Sequence, residues 1–181
     1  MKAFIEQNKT IFLFFGKLLL LAVLLITVYF TILKPTRVPD KILTETIASG
    51  TVIGVNILFP HELHVTSDSD PKQPMVNIRK NGHPVIRIWD VCNGLELIFI
   101  YLSLIILLPY KISRKLIFGV VGTMVIIFAN ILRCIALYWI YIYHRNMFEF
   151  NHHYVFTIVI YLVIFYAWLQ FTKKGKINEI D

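Results

Sequence analysis

Charge is scarce in this 181-residue chain: Asp, Glu, Lys and Arg together make up 16% of it, against roughly 25% in an ordinary soluble domain. Hydrophobic residues reach 57%. A soluble fold of this size removes only about 70% of the unfolded chain's surface from water, so that much apolar surface has nowhere to hide. The shortage of charge thus excludes an ordinary soluble domain, and the apolar surplus excludes a disordered chain. Cysteine is scarce too. Cys92 and Cys134 are the 2 cysteines, too few for a disulfide scaffold, and the missing Cys-x-x-Cys pair argues against a thiol oxidoreductase. Internal repeats and low-complexity stretches are also missing. The 18 basic residues outnumber the 11 acidic ones, for a net charge of +7. In so apolar a chain that excess marks cytoplasmic loops rather than a nucleic-acid surface.

What is present is a series of long apolar runs. Residues 10–33 (TIFLFFGKLLLLAVLLITVYFTIL) are long enough to cross a bilayer core of about 30 Å, which takes roughly 20 helical residues. The run exceeds a signal-peptide core and lacks a small-x-small cleavage site, so it reads as a retained anchor. Residues 94–109, 116–143 and 154–171 supply three more runs, the first of them ending at Pro109. The expected fold is an all-α polytopic membrane helical bundle of about four transmembrane helices forming a single domain. Basic residues orient it: Lys2, Lys9 and Lys17, then Lys111, Arg114 and Lys115, then Lys173, Lys174 and Lys176 fall in short segments on one side, whereas the short loop before the last span holds only Arg145. Both termini are expected in the cytoplasm and residues 34–91 outside it, with the protein in the plasma (inner) membrane.

The 34–91 segment carries its own signals. Residues 44–59 (TETIASGTVIGVNILF) are partly apolar but contain Glu45, Asn56 and several hydroxyls. An interfacial or re-entrant helix suits them better than a lipid-facing span, and a fifth span would move residues 60–91 to the other side. At 75–89, the runs PMVNIR and PVIRIW flank Lys80-Asn81-Gly82-His83. Asn-Gly is the strongest two-residue signal for a type I′ turn, so a small extracytoplasmic β-hairpin is expected, leading straight into Cys92.

Three features do not belong in an inert bundle. Arg133 interrupts an apolar helix, where a guanidinium costs several kcal/mol unless it snorkels or is paired. At 1.5 Å per residue it lies roughly 25 Å beyond Leu116, near the outer leaflet. Cys92 precedes a span in Asp90-Val91-Cys92-Asn93-Gly94-Leu95-Glu96. A helix N-terminus is expected to lower its pKa, with Asn93 as the cap and Gly94 allowing a tight turn. A small buried cysteine is the plainer alternative. His152 and His153 open the last span. Hydropathy and charge alone bring these groups to the same end of three consecutive helices. Thiol, imidazole and guanidinium suffice for acyl transfer: one attacks a carbonyl, one manages protons, and one stabilises the oxyanion.

The order Cys92-Asn93-Gly94-Leu95, then Asn130-Ile131-Leu132-Arg133, then a histidine opening the last span resembles the exosortase/archaeosortase family, over about residues 85–171. The small size, the Asn-Gly hairpin before Cys92 and the paired histidines look most like the short exosortase F type. The resemblance implies a membrane-embedded cysteine protease or transpeptidase. Its substrates would be exported proteins with a C-terminal sorting signal: a short motif, an apolar helix and a basic tail. It implies Cys92 as nucleophile, Arg133 as oxyanion stabiliser and a histidine as general acid/base, with Asn93, Gly94 and Asn130 supporting, and no cofactor or metal. His153 is preferred over His152, because the family often shows His-x-x-x-Gly and the small Thr157 follows His153 by four. The glycine itself is missing.

Other readings stand beside this one. A Cys92–Cys134 disulfide is disfavoured because Cys134 points about 100° away from Arg133 around the helix. His61-Glu62-Leu63-His64 has the wrong spacing for a zinc-protease His-Glu-x-x-His and follows Pro60, so a solvated turn is expected. Ser67, Asp68 and Asp70 read as a further exposed turn. Asp90 or Glu96 could orient His153, salt-bridge Arg133, or simply cap and solvate. The rival class is a non-enzymatic membrane subunit or transporter component with a structural Arg133–Glu96 pair.

Overall fold

A computed structural model describes residues 9–60, 65–69, 73–108 and 110–173. The His61–His64 turn, Asp70, Pro109 and the basic residues Lys2, Lys174 and Lys176 lie outside these. The chain is mostly helical. Helix α1 (Lys9–Val28) runs through a wide turn, Tyr29–Leu33, and a short turn, Lys34–Thr36. Arg37, at φ 51°, ends it and starts α2 (Val38–Leu58). Strands β1 (Val65–Ser69), β2 (Met75–Lys80) and β3 (His83–Trp89) follow, then a tight turn at Asp90–Cys92. Helices α3 (Leu95–Leu107), α4 (Ile112–Tyr143) and α5 (Phe156–Lys173) complete the fold, with a loop and a second wide turn, Asn151–Val155, before α5.

Among the described residues, three stretches are long and apolar enough to cross a membrane: Phe15–Thr36, Ile112–Tyr143 and Arg145–Lys173. The second expected span, residues 94–109, falls short. Helix α3 has 13 residues, about 20 Å of helix against a core of about 30 Å. Leu108 is already extended, at ψ 140°, because the residue before a proline avoids the helical region. Conversely, α4 has 32 residues, about 48 Å, and outruns the core.

The β element also exceeds the expected hairpin. Asn81 and Gly82 both hold positive φ, 50° and 80°, as a type I′ turn requires. Arg79 pairs with Pro84 while Ile78 pairs with Ile86, a bulge beside the proline. But β1 pairs antiparallel along β2, from Val65↔Lys80 to Ser69↔Val76. Ser67 and Asp68, expected in a turn, are therefore strand residues.

Two cores result. One packs the sheet (Val76, Ile78, Ile86, Ile88) onto Ile47 and Val55 of α2 and Cys134 and Tyr138 of α4. The other joins Ile98 and Tyr101 of α3, Ile126 of α4 and Ile160 and Ile164 of α5. Helices α2 and α4 come unusually close. A Cβ on Gly50 would stand 2.6 Å from Ile131 Cδ1, and one on Gly54 2.4 Å from Ile135 Cδ1, so the small-xxx-small spacing lets backbones meet. At the opposite end, Arg114 donates to the Phe171 carbonyl and stacks over the rings of Tyr110, Phe118 and Phe171. Arg114, Lys115 and Lys173 thus gather at the end away from the sheet.

Candidate thiol active site

The site lies at the sheet end of the helices, against the core that packs the sheet. Cys92, Arg133 and His152 line one small cavity with Ile86, Ile88, Cys134, Leu137 and Phe148. Its volume is about 30 Å³, enough for a water molecule. It adjoins a wider cleft of about 510 Å³ along β3, lined among others by Arg87, Cys92, Tyr141, Glu149, His152 and His153.

The Cys92 loop is braced on both sides. Asn93 is buried. Its Oδ1 accepts the Leu95 N–H at 2.9 Å, an Asx-type turn two residues on; the cap position itself falls to Gly94 rather than to Asn93 as expected. Its Nδ2 donates to Asp40 Oδ1 at 3.0 Å and lies 3.2 Å from Thr44 Oγ1, which ties the loop to α2. Gly94 holds φ +83°, a left-handed conformation that a side chain resists. A Cβ there would stand 3.2 Å from Asn130 Nδ2. The glycine thereby lets Asn130 donate to the Cys92 carbonyl at 3.2 Å. Three residues on, Arg133 shares the helix face with Asn130 and donates to its Oδ1 from Nη1 at 3.5 Å. The Asn-x-x-Arg pair is thus a physical link between the thiol loop and the guanidinium.

Two expectations about charge are corrected. Asp90 neither orients a histidine nor pairs with Arg133. It accepts from Arg37 Nε at 2.9 Å and from Thr44 Oγ1 at 2.8 Å, and Asp40 accepts from the Tyr29 hydroxyl at 3.0 Å. This buried cluster bolts the start of α2 to the Asp90–Cys92 turn. Glu96 faces the groove between α1 and α3, lined by Leu25, Tyr29 and Phe99. The sequence offered no pattern for this cluster, because its links from α2 to Asp90 and Asn93 span 46 to 53 residues.

The expected lowering of the Cys92 pKa is overturned as well. Burial pushes the thiol above its ordinary value, Arg133 pulls it down and Glu96 pushes it up, with burial dominant. Cys92 sits in the turn ahead of α3 rather than in its first turn, so the helix dipole has little hold on it.

The histidine preference reverses. His152, half-buried and stacked on Phe148 with centroids 5.8 Å apart and planes at 4°, is the imidazole in the cavity with Cys92 and Arg133. His153 is exposed, with Nε2 3.2 Å from Glu149 Oε2, and borders only the outer cleft. The wide Asn151–Val155 turn sets this register. Cys134 is buried beside the same cavity, and both cysteines are free thiols. Among the described residues, the buried Arg133 Nε has no hydrogen-bond partner. No family model, curated protein or solved structure matches the chain.

Proposed function

We propose that this protein is a membrane-embedded cysteine peptidase or transpeptidase of exosortase type, acting on the C-terminal sorting signals of exported proteins. The observation that carries the reading is the meeting of a thiol, a guanidinium and an imidazole around one cavity, from three elements distant in sequence. In this reading the protein sits in the plasma membrane with both termini cytoplasmic and the cavity at the outer face.

The chemistry follows from the residues. Cys92 Sγ attacks the scissile carbonyl carbon as its proton passes to His152. The carbonyl oxygen becomes an oxyanion that the guanidinium of Arg133, on the wall of the same cavity, stabilises. Collapse expels the leaving amine, which takes the proton from His152. A thioester remains, and water or an acceptor amine resolves it to release Cys92. The raised thiol pKa makes His152 a true general base, since no thiolate stands ready. The rival structural role for Arg133 loses its partner, because Glu96 faces the α1 groove.

The test is co-expression with an exported protein ending in motif, apolar helix and basic tail, read by removal of the tail. Cys92→Ser and His152→Ala are expected to abolish processing, and Arg133→Ala to slow it by about 10²–10³-fold, while each variant still fractionates with membranes. His153→Ala is expected to keep at least about tenfold more activity than His152→Ala, because only His152 reaches the thiol cavity. Wild-type processing by Cys92→Ser overturns the reading.

A further inference from the structure

Glu149, His152 and His153 bring a carboxylate oxygen and two imidazole nitrogens within 4.8 Å of one another, at the mouth of the cleft that Cys92 lines. We propose that this trio binds a divalent transition ion of the zinc class, and that its occupancy switches off the thiol site by engaging His152. The switch rests on the peptidase reading; the metal site does not.

Two imidazoles and a carboxylate are a donor set that holds zinc with an open fourth position. Ligands about 2.0–2.1 Å from a tetrahedral ion stand about 3.3 Å apart. His153 Nε2 and Glu149 Oε2 already stand at 3.2 Å. Any remaining contraction falls on side chains with room to turn, since His153 and Glu149 are 63% and 80% exposed. His152 is the anchored member, held by its stack on Phe148. Neighbouring helical residues ordinarily splay about 100° apart, yet across this wide turn the two imidazole centroids lie 4.8 Å apart.

Local charge sets the strength. Arg87 and Arg133 also border this region and repel a cation, while Glu149 attracts it. An ion held against that repulsion is released readily, which suits a regulator better than a structural metal. Binding takes the lone pair of the His152 nitrogen that joins the metal, and with it that nitrogen's capacity to accept the Cys92 proton. Each imidazole binds through a deprotonated nitrogen, so a proton carried by His153 Nε2 beside Glu149 leaves to solvent.

The test uses purified full-length protein in detergent, titrated with Co²⁺ and followed by visible absorption, with Zn²⁺ as competitor. Saturable binding is expected in wild type and in Cys92→Ala, which has no peptidase function to lose. Glu149→Gln and His153→Ala are expected to weaken it by at least about tenfold; both side chains are exposed, and unchanged apparent Tm checks their folding. In wild type, Zn²⁺ is expected to slow alkylation of Cys92 and EDTA to restore it. Absent Co²⁺ binding, or binding indifferent to both variants, overturns the site. Binding that leaves Cys92 alkylation untouched overturns the switch. Failure of the peptidase reading registers separately, as absent substrate processing by metal-free protein.

Discussion

Gly94→Ala tests the claim that one left-handed residue positions the thiol loop. The substitution adds a Cβ at φ +83°, 3.2 Å from Asn130 Nδ2. A left-handed conformation costs a non-glycine residue roughly 1–2 kcal/mol. If Asn130 retreats to make room, its bond to the Cys92 carbonyl weakens, for about 1 kcal/mol more. The sum, about 2–3 kcal/mol, corresponds to a fall in apparent Tm of roughly 4–12 °C for a chain of this size. Thermal unfolding in detergent reads that fall. The rate at which Cys92 reacts with a small alkylating agent reads the loop itself, and is expected to change because the thiol's alignment with Arg133 depends on Asn130. Gly94→Asn, which tolerates positive φ better, is expected to fall in between on Tm. If Gly94→Ala keeps both Tm and alkylation rate, the glycine does not hold the loop and the linkage from Asn130 to Cys92 is not what sets thiol reactivity.

Two further outcomes follow from the same geometry. Burial raises the Cys92 pKa, so its thiolate forms at higher pH than that of a free cysteine, and alkylation is expected to rise through an inflection above the ordinary value of about 8.5; Arg133→Ala removes the opposing positive charge and moves the inflection further up, and a downward move contradicts the assignment. Asp90→Asn leaves Arg37 facing a neutral amide across the present 2.9 Å contact and is expected to cost about 3 kcal/mol, the low end for breaking a buried pair because Arg37 is one-third exposed; Arg37→Met in the same chain recovers part of that loss, and an unchanged Tm shows the pair to be idle.

Much of this was legible in the sequence because membrane spans and tight turns are local signals. Composition and run length give the long helices. Asn81-Gly82 gives the hairpin turn, since few residues tolerate its dihedrals. The third strand was not legible: β1 reads VTSDS, a polar edge whose pairing with β2 comes from register rather than hydrophobicity. Run length overstates α3 slightly, because the apolar run reaches Pro109 whereas the backbone leaves the helix at Leu108, before the proline. His152 and His153 differ in sequence by nothing that hydropathy detects. One extra residue in the wide turn decides which imidazole faces inward, and such widened turns carry no reliable composition signal.

The polar character of residues 44–59 gains a physical reason. Those residues spoiled the segment as a span, yet Thr44 and Thr51 are buried and point at structure rather than solvent. Thr51 bonds back to the Ile47 carbonyl at 2.7 Å. Thr44, with Asp40 from the first turn of α2, fixes Asp90 and Asn93 on either side of Cys92. A buried polar cluster rigidifies its surroundings only when its members are satisfied, and these four side chains are linked to one another. Arg133 Nε, like Arg79 Nε, is buried without a hydrogen-bond partner among the described residues. Leaving a buried donor unmade costs about 1–3 kcal/mol, and a guanidinium in an apolar helix is already expensive. The chain spends its polar residues on holding Cys92 still, with the Arg133 guanidinium on the wall of the cavity beside it. In the proposed reading the guanidinium stabilises a transient oxyanion, an interaction that would offset its cost in an apolar helix.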